Sequence, residues 1–291
     1  MNKVKIQTDI VHHDYAKKDL TIIHIADIHF NINTNAEKLV KVKESIIKLN
    51  PDYLVITGDL VDEPSITKNK IKIKELIKFL TDLSTYTKVL ISLGNHDIFN
   101  DNDLVFFKKL NEFNNIILLD NDSYQDDYIY IAGLTLPSKY YYNITYDESS
   151  DILLEHIQHH QELISKLPAR LPKVLLIHSP IKLTDEEVLN KLSSYDLILS
   201  GHTHAGMVPD FLNKFFKKNT GIIAPNKKWF PEISRGKIEK MRKGKRITII
   251  ITGGITKLSL KSSKLLSKLN FVYNTSINKI IITKKRGKYY E

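Results

Sequence analysis

Cysteine is absent from the 291-residue sequence, which excludes a disulfide scaffold, a thiolate metal site and a cysteine nucleophile together. Any metal ion must then be held by His, Asp, Asn or Glu. Arginine is scarce, with only residues 170, 235, 242, 246 and 286 among the 43 basic positions. Side chains that clamp phosphate favour the bidentate guanidinium. The net charge of +10 therefore reads first as a solvated lysine surface, with nucleic acid, an anionic membrane or an anionic substrate as alternatives. No long apolar run is present: Ile247–Ile251 is strand-length, and Met1–Leu20 is polar and charged. The expectation is a cytoplasmic protein without an integral membrane span. Repeats, Gly/Ser/Pro linkers and composition breaks are also missing, so one domain over residues 1–291 is expected.

What is present alternates. Leu20–Ala26, Tyr53–Thr57 and Val89–Leu93 are short β-branched runs that end abruptly. Between them, Ala36–Leu49 and Ile71–Leu83 repeat apolar residues at helical spacing. Strand, helix, strand, helix, strand is the order of a parallel sheet with crossover helices. Later strands are expected at Ile116–Leu119, Tyr128–Ala132, Lys173–Ile177, Asp196–Ser200, Ile247–Thr252 and Lys279–Thr283, with a helix over Asp151–Leu167.

The informative polar residues follow those strands. Asp27 and His29 come after the first, Asp59 after the second, and Asn95, His96 and Asp97 after the third. His178 follows Lys173–Ile177, and His202 and His204 follow Asp196–Ser200. Parallel strands bring their C-termini to one edge, where ligands bind. Gly58, Gly94 and Gly201 stand where sharp turns are needed. Carboxylates and imidazoles without sulfur suit Mn, Fe, Zn, Ni or Co. The set is large enough for two ions about 3.5–4 Å apart, which orient a phosphate ester and supply a bridging hydroxide to attack phosphorus.

Asp27-Ile28-His29, Gly58-Asp59, Gly94-Asn95-His96-Asp97, His178 and Gly201-His202-Thr203-His204 resemble the motifs of the calcineurin-like metallophosphoesterases. The resemblance runs from about residue 20 to the C-terminus. It implies a four-layer α/β/β/α sandwich of two mixed sheets. It also implies one ion held by Asp27, His29, Asp59 and His204, and a second by bridging Asp59 with Asn95, His178 and His202. His96 would face the phosphate oxygens and assist the leaving group, with Asp97 orienting it. Ala205-Gly206, Ala224-Pro225-Asn226 and Phe230-Pro231 resemble a bacterial phosphodiesterase-like branch, often membrane-associated, which favours a phosphodiester. Two departures stand out: Met1–Leu20 does not read as the N-terminal membrane or export segment such members often carry, and a late Ser-Arg-Gly turn is replaced by Thr252-Gly253-Gly254. The rival readings are a metal-dependent nuclease on DNA or RNA and a non-catalytic scaffold on the same fold. A scaffold would typically have lost ligands, whereas this sequence keeps them.

Other polar residues invite plainer readings. His24 sits inside a strand and is expected in the core, whereas His12, His13, His156 and His160 are expected in solvent. Asp62 and Glu63 are expected to cap the next helix rather than stand behind Asp59. Leu134–Asp147, with Tyr140, Tyr141, Tyr142 and Tyr146, is read as a flap near the metal edge or as an ordinary packed loop. Lys227–Arg246 gathers basic residues around Trp229 and Phe230. It reads equally as a peripheral contact for an anionic membrane or nucleic acid and as an irregular surface loop.

Overall fold

A computed structural model describes residues 4–62, 66, 68–98, 101–141, 148–165, 167–223, 229–256 and 273–284. One six-stranded sheet has the order β1-β12-β2-β3-β4-β5, built from Val4–His12, Thr275–Thr283, Leu20–Ile25, Tyr53–Thr57, Lys88–Ser92 and Ile116–Leu118. The other has the order β10-β11-β9-β8-β7-β6, built from Gly236–Arg242, Lys245–Ile251, Leu197–Ser200, Lys173–Ile177, Tyr130–Leu134 and Asp122–Gln125. Both sheets are mixed. β2 to β5 run parallel while β12 opposes β2, and β7, β8, β9 and β11 run parallel while β6 and β10 form antiparallel edges.

Side-chain alternation sorts the strand residues into layers. Ile22, Val55 and Leu90 point into a core shared with Val174, Leu176, Leu199 and Ile250 of the second sheet. Their neighbours Ile23, Ile56 and Ile91 point outward, against Leu39, Val42 and Ile46 of α1 (Ala36–Lys48) and Leu76 and Leu80 of α2 (Lys70–Ser84). Leu175, Ile177 and Ile198 pack likewise on Leu153 and Ile157 of α4 (Glu148–His159) and Val188 and Leu189 of α6 (Glu186–Lys191). The short α3 (Asp101–Lys109) and α5 (Glu162–Ser165) complete the helices. The result is the four-layer α/β/β/α sandwich. Continuous apolar strands such as β3 are buried on both faces, which is why they read so plainly.

Several elements depart from the sequence reading. The polar N-terminus supplies β1, an edge strand whose side chains are exposed or half-buried except Val11, so no apolar pattern announced it. The helix expected over Asp151–Leu167 is divided into α4 and α5. Asn69, not Asp62, caps α2, its side chain accepting from the backbone N–H groups of Ile71 and Lys72; Glu63 lies outside the described residues. His156 is not free in solvent but donates from Nε2 to the Thr135 carbonyl at 2.7 Å. His13 reaches Asp196 at 3.4 Å.

Lys227–Arg246 is not one surface. Gly236 pairs with Ile251 at the metal end of the second sheet, whereas Arg242 pairs with Lys245 at the far end. The seven residues of β10 separate those ends by roughly 20 Å. Lys245 is occupied there by Asp196, at 2.9 Å. Lys227 and Lys228, with Ala224-Pro225-Asn226, lie outside the described residues.

His24 is a core residue, fully buried, with Nε2 at 2.8 Å from Thr57 Oγ1. Burial lowers its pKa from 6.5 to about 3. The folded protein therefore keeps His24 neutral while the unfolded chain protonates it below 6.5. Stability from this residue is intact above that pH and falls toward pH 3, by up to about 1.4 kcal/mol per unit. Urea unfolding at pH 7 and pH 5 should show a larger loss in the wild type than in His24→Gln; equal losses would exonerate His24.

Candidate metal centre

Pairing between β2 and β3 persists beyond the strands and carries the first candidate ligands. Asp27 N donates to Gly58 O at 3.1 Å, His29 N to Asp59 O at 3.0 Å, and Phe30 N to Leu60 O at 3.0 Å. The turns are sharp in an unexpected place. Asp27, His29, Asp59, His202 and His204 themselves hold φ between 47° and 65°. Such conformations cost about 1–2 kcal/mol each in a residue with Cβ, and strain of this kind gathers at functional sites. Of the glycines expected to make these turns, only Gly58 has positive φ. Gly94 and Gly201 serve close approach instead: a Cβ there would lie 2.4 Å from Asp59 Oδ1 and 2.5 Å from Ala26 Cβ, respectively.

The side chains of both sheets meet at Asp59, which is 1% exposed. Its Oδ2 faces His29 Nε2 at 3.6 Å and His178 Nε2 at 3.2 Å. Its Oδ1 accepts from the backbone N–H of His96 at 2.8 Å. Asn95 is buried between that N–H and Gly94. Across the edge, His202 N donates to the Asp27 carboxylate at 3.1 and 3.2 Å. The His29 and His204 rings stack 5.1 Å apart, and those of His178 and His202 meet edge-on at 4.9 Å. Potential ligand atoms of Asp27, His29 and His204 lie within 4.8 Å of one another, as do those of Asp59, His178 and His202.

Backbone carbonyls set the imidazole tautomers. His178 Nδ1 donates to Thr57 O at 2.7 Å, and His204 Nδ1 to Thr256 O at 2.9 Å. Each bond leaves Nε2 with a lone pair for a metal ion. The Nε2 atoms of His29 and His178 are buried and make no well-aligned hydrogen bond among the described residues. Buried lone pairs converging on a carboxylate fit divalent cations of the first transition row. Burial opposes a charge on His178, yet Asp59 raises its pKa to about 9, so a cation binding at Nε2 displaces a proton there. Burial opposes the Asp59 charge, yet His178 and His96 hold its carboxyl well below the usual range. Burial, then His178, lowers the His202 pKa well below its ordinary value, keeping it neutral.

Two carboxylates act differently from expectation. Asp97 does not touch the His96 ring among the described contacts. Its Oδ1 accepts from the N–H groups of Leu60 and Val61 at 2.9 and 3.1 Å, and its Oδ2 from Gly94 at 2.9 Å. It thereby ties the Asp59 loop to the Asn95 loop. The His96 ring is held by Asp62, whose backbone carbonyl accepts from Nδ1 at 2.7 Å. The Asp62 carboxylate is buried 3.3 Å from His29 Nδ1 and 3.7 Å from His96 Nδ1. His29, Asp62 and His96 therefore form a further group of closely spaced ligand atoms. Its only sequence signal was its place three residues after Asp59. The Tyr-rich segment reaches the site through Tyr141, whose ring lies 5.2 Å from His202 and 6.1 Å from His178. Tyr140 is buried instead, and residues 142–147, with Tyr142 and Tyr146, lie outside the described set.

The model of the calcineurin-like phosphoesterases matches residues 20–206, spanning every motif at this edge. The chain belongs to that family. An uncharacterized metallophosphoesterase of Campylobacter jejuni is 29% identical over 196 residues, 67% of this chain and 47% of that protein. The UDP-2,3-diacylglucosamine pyrophosphatase of Chlamydia trachomatis is 25% identical over 258 residues, 75% of this chain and 72% of that protein. A solved phosphopantetheinyl hydrolase from Mycobacterium tuberculosis aligns with TM-score 0.45 at 13% identity, over 93% of this chain and 98% of that one. The matches to the Campylobacter protein and to a Helicobacter pylori relative cover about half of those proteins, 47% and 50%. Among the described residues, no helix of this phosphoesterase-family chain is long and apolar enough to cross a membrane.

The Asp97 contacts carry a prediction. An amide presents an acceptor on one side only, so Asp97→Asn should leave at least one buried N–H opposed by another donor. A loss of about 1–3 kcal/mol in stability and weaker Mn binding are expected, by denaturant titration and calorimetry. Unchanged metal affinity would show that the two loops hold their positions without it.

Proposed function

We propose that this chain hydrolyses a phosphate ester at a two-metal centre, with a diester-type phosphorus preferred. The observation carrying the reading is the convergence of Asp59 with histidines from both sheets. Asp27, His29, Asp59 and His204 would hold one divalent ion, and Asp59, Asn95, His178 and His202 the other. Two such ions, when bound, supply Lewis acidity toward the phosphate oxygens and a water nucleophile near neutral pH.

The remaining work falls to side chains of the chain itself. Asp59 reaches toward both ligand groups and keeps their histidines at one edge. His96 is partly exposed, with its Nδ1 committed to the Asp62 carbonyl. Its Nε2 is thus the nitrogen left for a phosphate oxygen or for proton delivery to the leaving group. Burial lowers the His96 pKa against the opposing pull of Asp59. Asp97 and Asp62 position these groups without touching substrate. The diester preference draws support from the Chlamydia trachomatis relative, named for a pyrophosphatase activity. In a diphosphate esterified at both ends, each phosphorus carries two substituted oxygens, as the phosphorus of a diester does. A non-catalytic scaffold is disfavoured, because no ligand position has been lost.

A panel of Mn, Zn, Ni, Co, Fe and Mg against monoester, diester, pyrophosphate and polynucleotide substrates tests the reading. Asp59→Asn should abolish metal-dependent turnover with the circular dichroism spectrum unchanged; near-normal turnover would sink the assignment. His96→Gln should lower kcat about 10²–10⁴-fold with the full metal complement retained. Metal loss in that variant would make His96 a ligand instead.

A further inference from the structure

Residues 205–235 join β9 to β10 and begin immediately after His204. Their described part is a tied structure at the metal edge. Ile222 N donates to Gly206 O at 2.7 Å, and Phe230 N to Ile222 O at 2.8 Å. The Arg235 guanidinium donates to Asn213 Oδ1 and to Lys217 O, and Asn219 Nδ2 donates to Arg235 O. Tyr273 and Asn274, at the start of β12, bond Met207 O and the Asp210 carboxylate.

This insert leaves apolar rings in solvent. Phe211 is 66% exposed, Phe215 71%, Trp229 64% and Phe230 64%. Among the described residues, every exposed Phe or Trp lies here, although the same chain buries Phe30, Phe79 and Phe107 completely or nearly so. Exposed rings gathered in one connection mark an interaction surface rather than ordinary surface. Cations surround them. Lys214, Lys217 and Lys218 are exposed, and Lys214 Nζ sits 5.0 Å from the centre of the Phe215 ring. In sequence, Lys227 and Lys228 directly precede Trp229. Of the two acids in the insert, Asp210 is engaged by Lys5 at 3.5 Å and by Asn274 N, leaving Glu232.

We propose that this aromatic and lysine surface docks the metal edge onto an anionic lipid bilayer. Phe and Trp side chains enter the boundary between headgroups and acyl chains, while the lysines pair with anionic headgroups. A polynucleotide fits less well. The Trp229 and Phe230 rings are tilted 46° to one another rather than aligned as a platform for successive bases, and the flanking cations are lysines without the stacking guanidinium. Docked this way, the metal centre faces the lipid headgroups, so a lipid phosphoester reaches it without leaving the membrane. That consequence rests on the proposed hydrolysis; the docking does not.

Trp229 is the sole tryptophan, so its fluorescence reports on the surface directly. Vesicles of phosphatidylglycerol and phosphatidylcholine should shift its emission to the blue and co-sediment the protein, whereas pure phosphatidylcholine should do so weakly. Phe211→Ser with Phe215→Ser should weaken binding about tenfold or more, with melting temperature unchanged. Lys214→Gln, Lys217→Gln and Lys218→Gln together should remove the preference for anionic vesicles, as should high salt. The proposal is overturned by an unshifted Trp229 and unbound protein with anionic vesicles. It is overturned equally if single-stranded polynucleotide quenches Trp229 while vesicles leave it unchanged. Neither readout requires turnover, so failure of docking and failure of the phosphoesterase reading are separable.

Discussion

One buried carboxylate organises the molecule. Asp59 sits where two sheets present their strand ends to each other, and it faces His29 from the first sheet and His178 from the second. A carboxylate this deeply buried is tolerable only when cations or donors compensate it. Imidazoles, the His96 N–H and the ions that the site fits supply that compensation. The constraint propagates outward. Gly94 must lack a side chain to let Asp59 in, Asp97 must fasten the neighbouring backbone, and the ligand residues must accept left-handed φ values. The stability of the inter-sheet core is what holds such strained turns in place.

The division of labour between strands and loops follows from the same geometry. The ligand residues leave rigid, fully buried strands and so have little freedom. The described segments beyond them, 135–141 and 205–223, connect strands of the second sheet. The candidate site therefore sits on the strand ends with loops around it, as on scaffolds reused with different attachments.

How much of this was legible follows from what kind of atom does each job. β2, β3, β4, β8 and β9 are buried on both faces, so their β-branched runs stood out. The polar residues at their ends could then be placed at one edge before any coordinates. β1, β6 and β10 are edge strands with mixed exposure and left no such trace. The carbonyls of Thr57, Asp62 and Thr256, which aim three histidines, are backbone atoms and carry no residue-type signal. The family resemblance implied that Asp97 orients His96, yet its carboxylate accepts from the N–H groups of Leu60, Val61 and Gly94. Lys227–Arg246 looked like one basic patch because a linear sequence hides that β10 carries the chain to the far end of the sheet.

A dinuclear site that shares Asp59 can be located by anomalous diffraction from crystals grown with Mn. Two ions per chain are expected. One lies among Asp27, His29, Asp59 and His204, and the other among Asp59, Asn95, His178 and His202. A single ion, or a second ion captured by His29, Asp62 and His96, would contradict it.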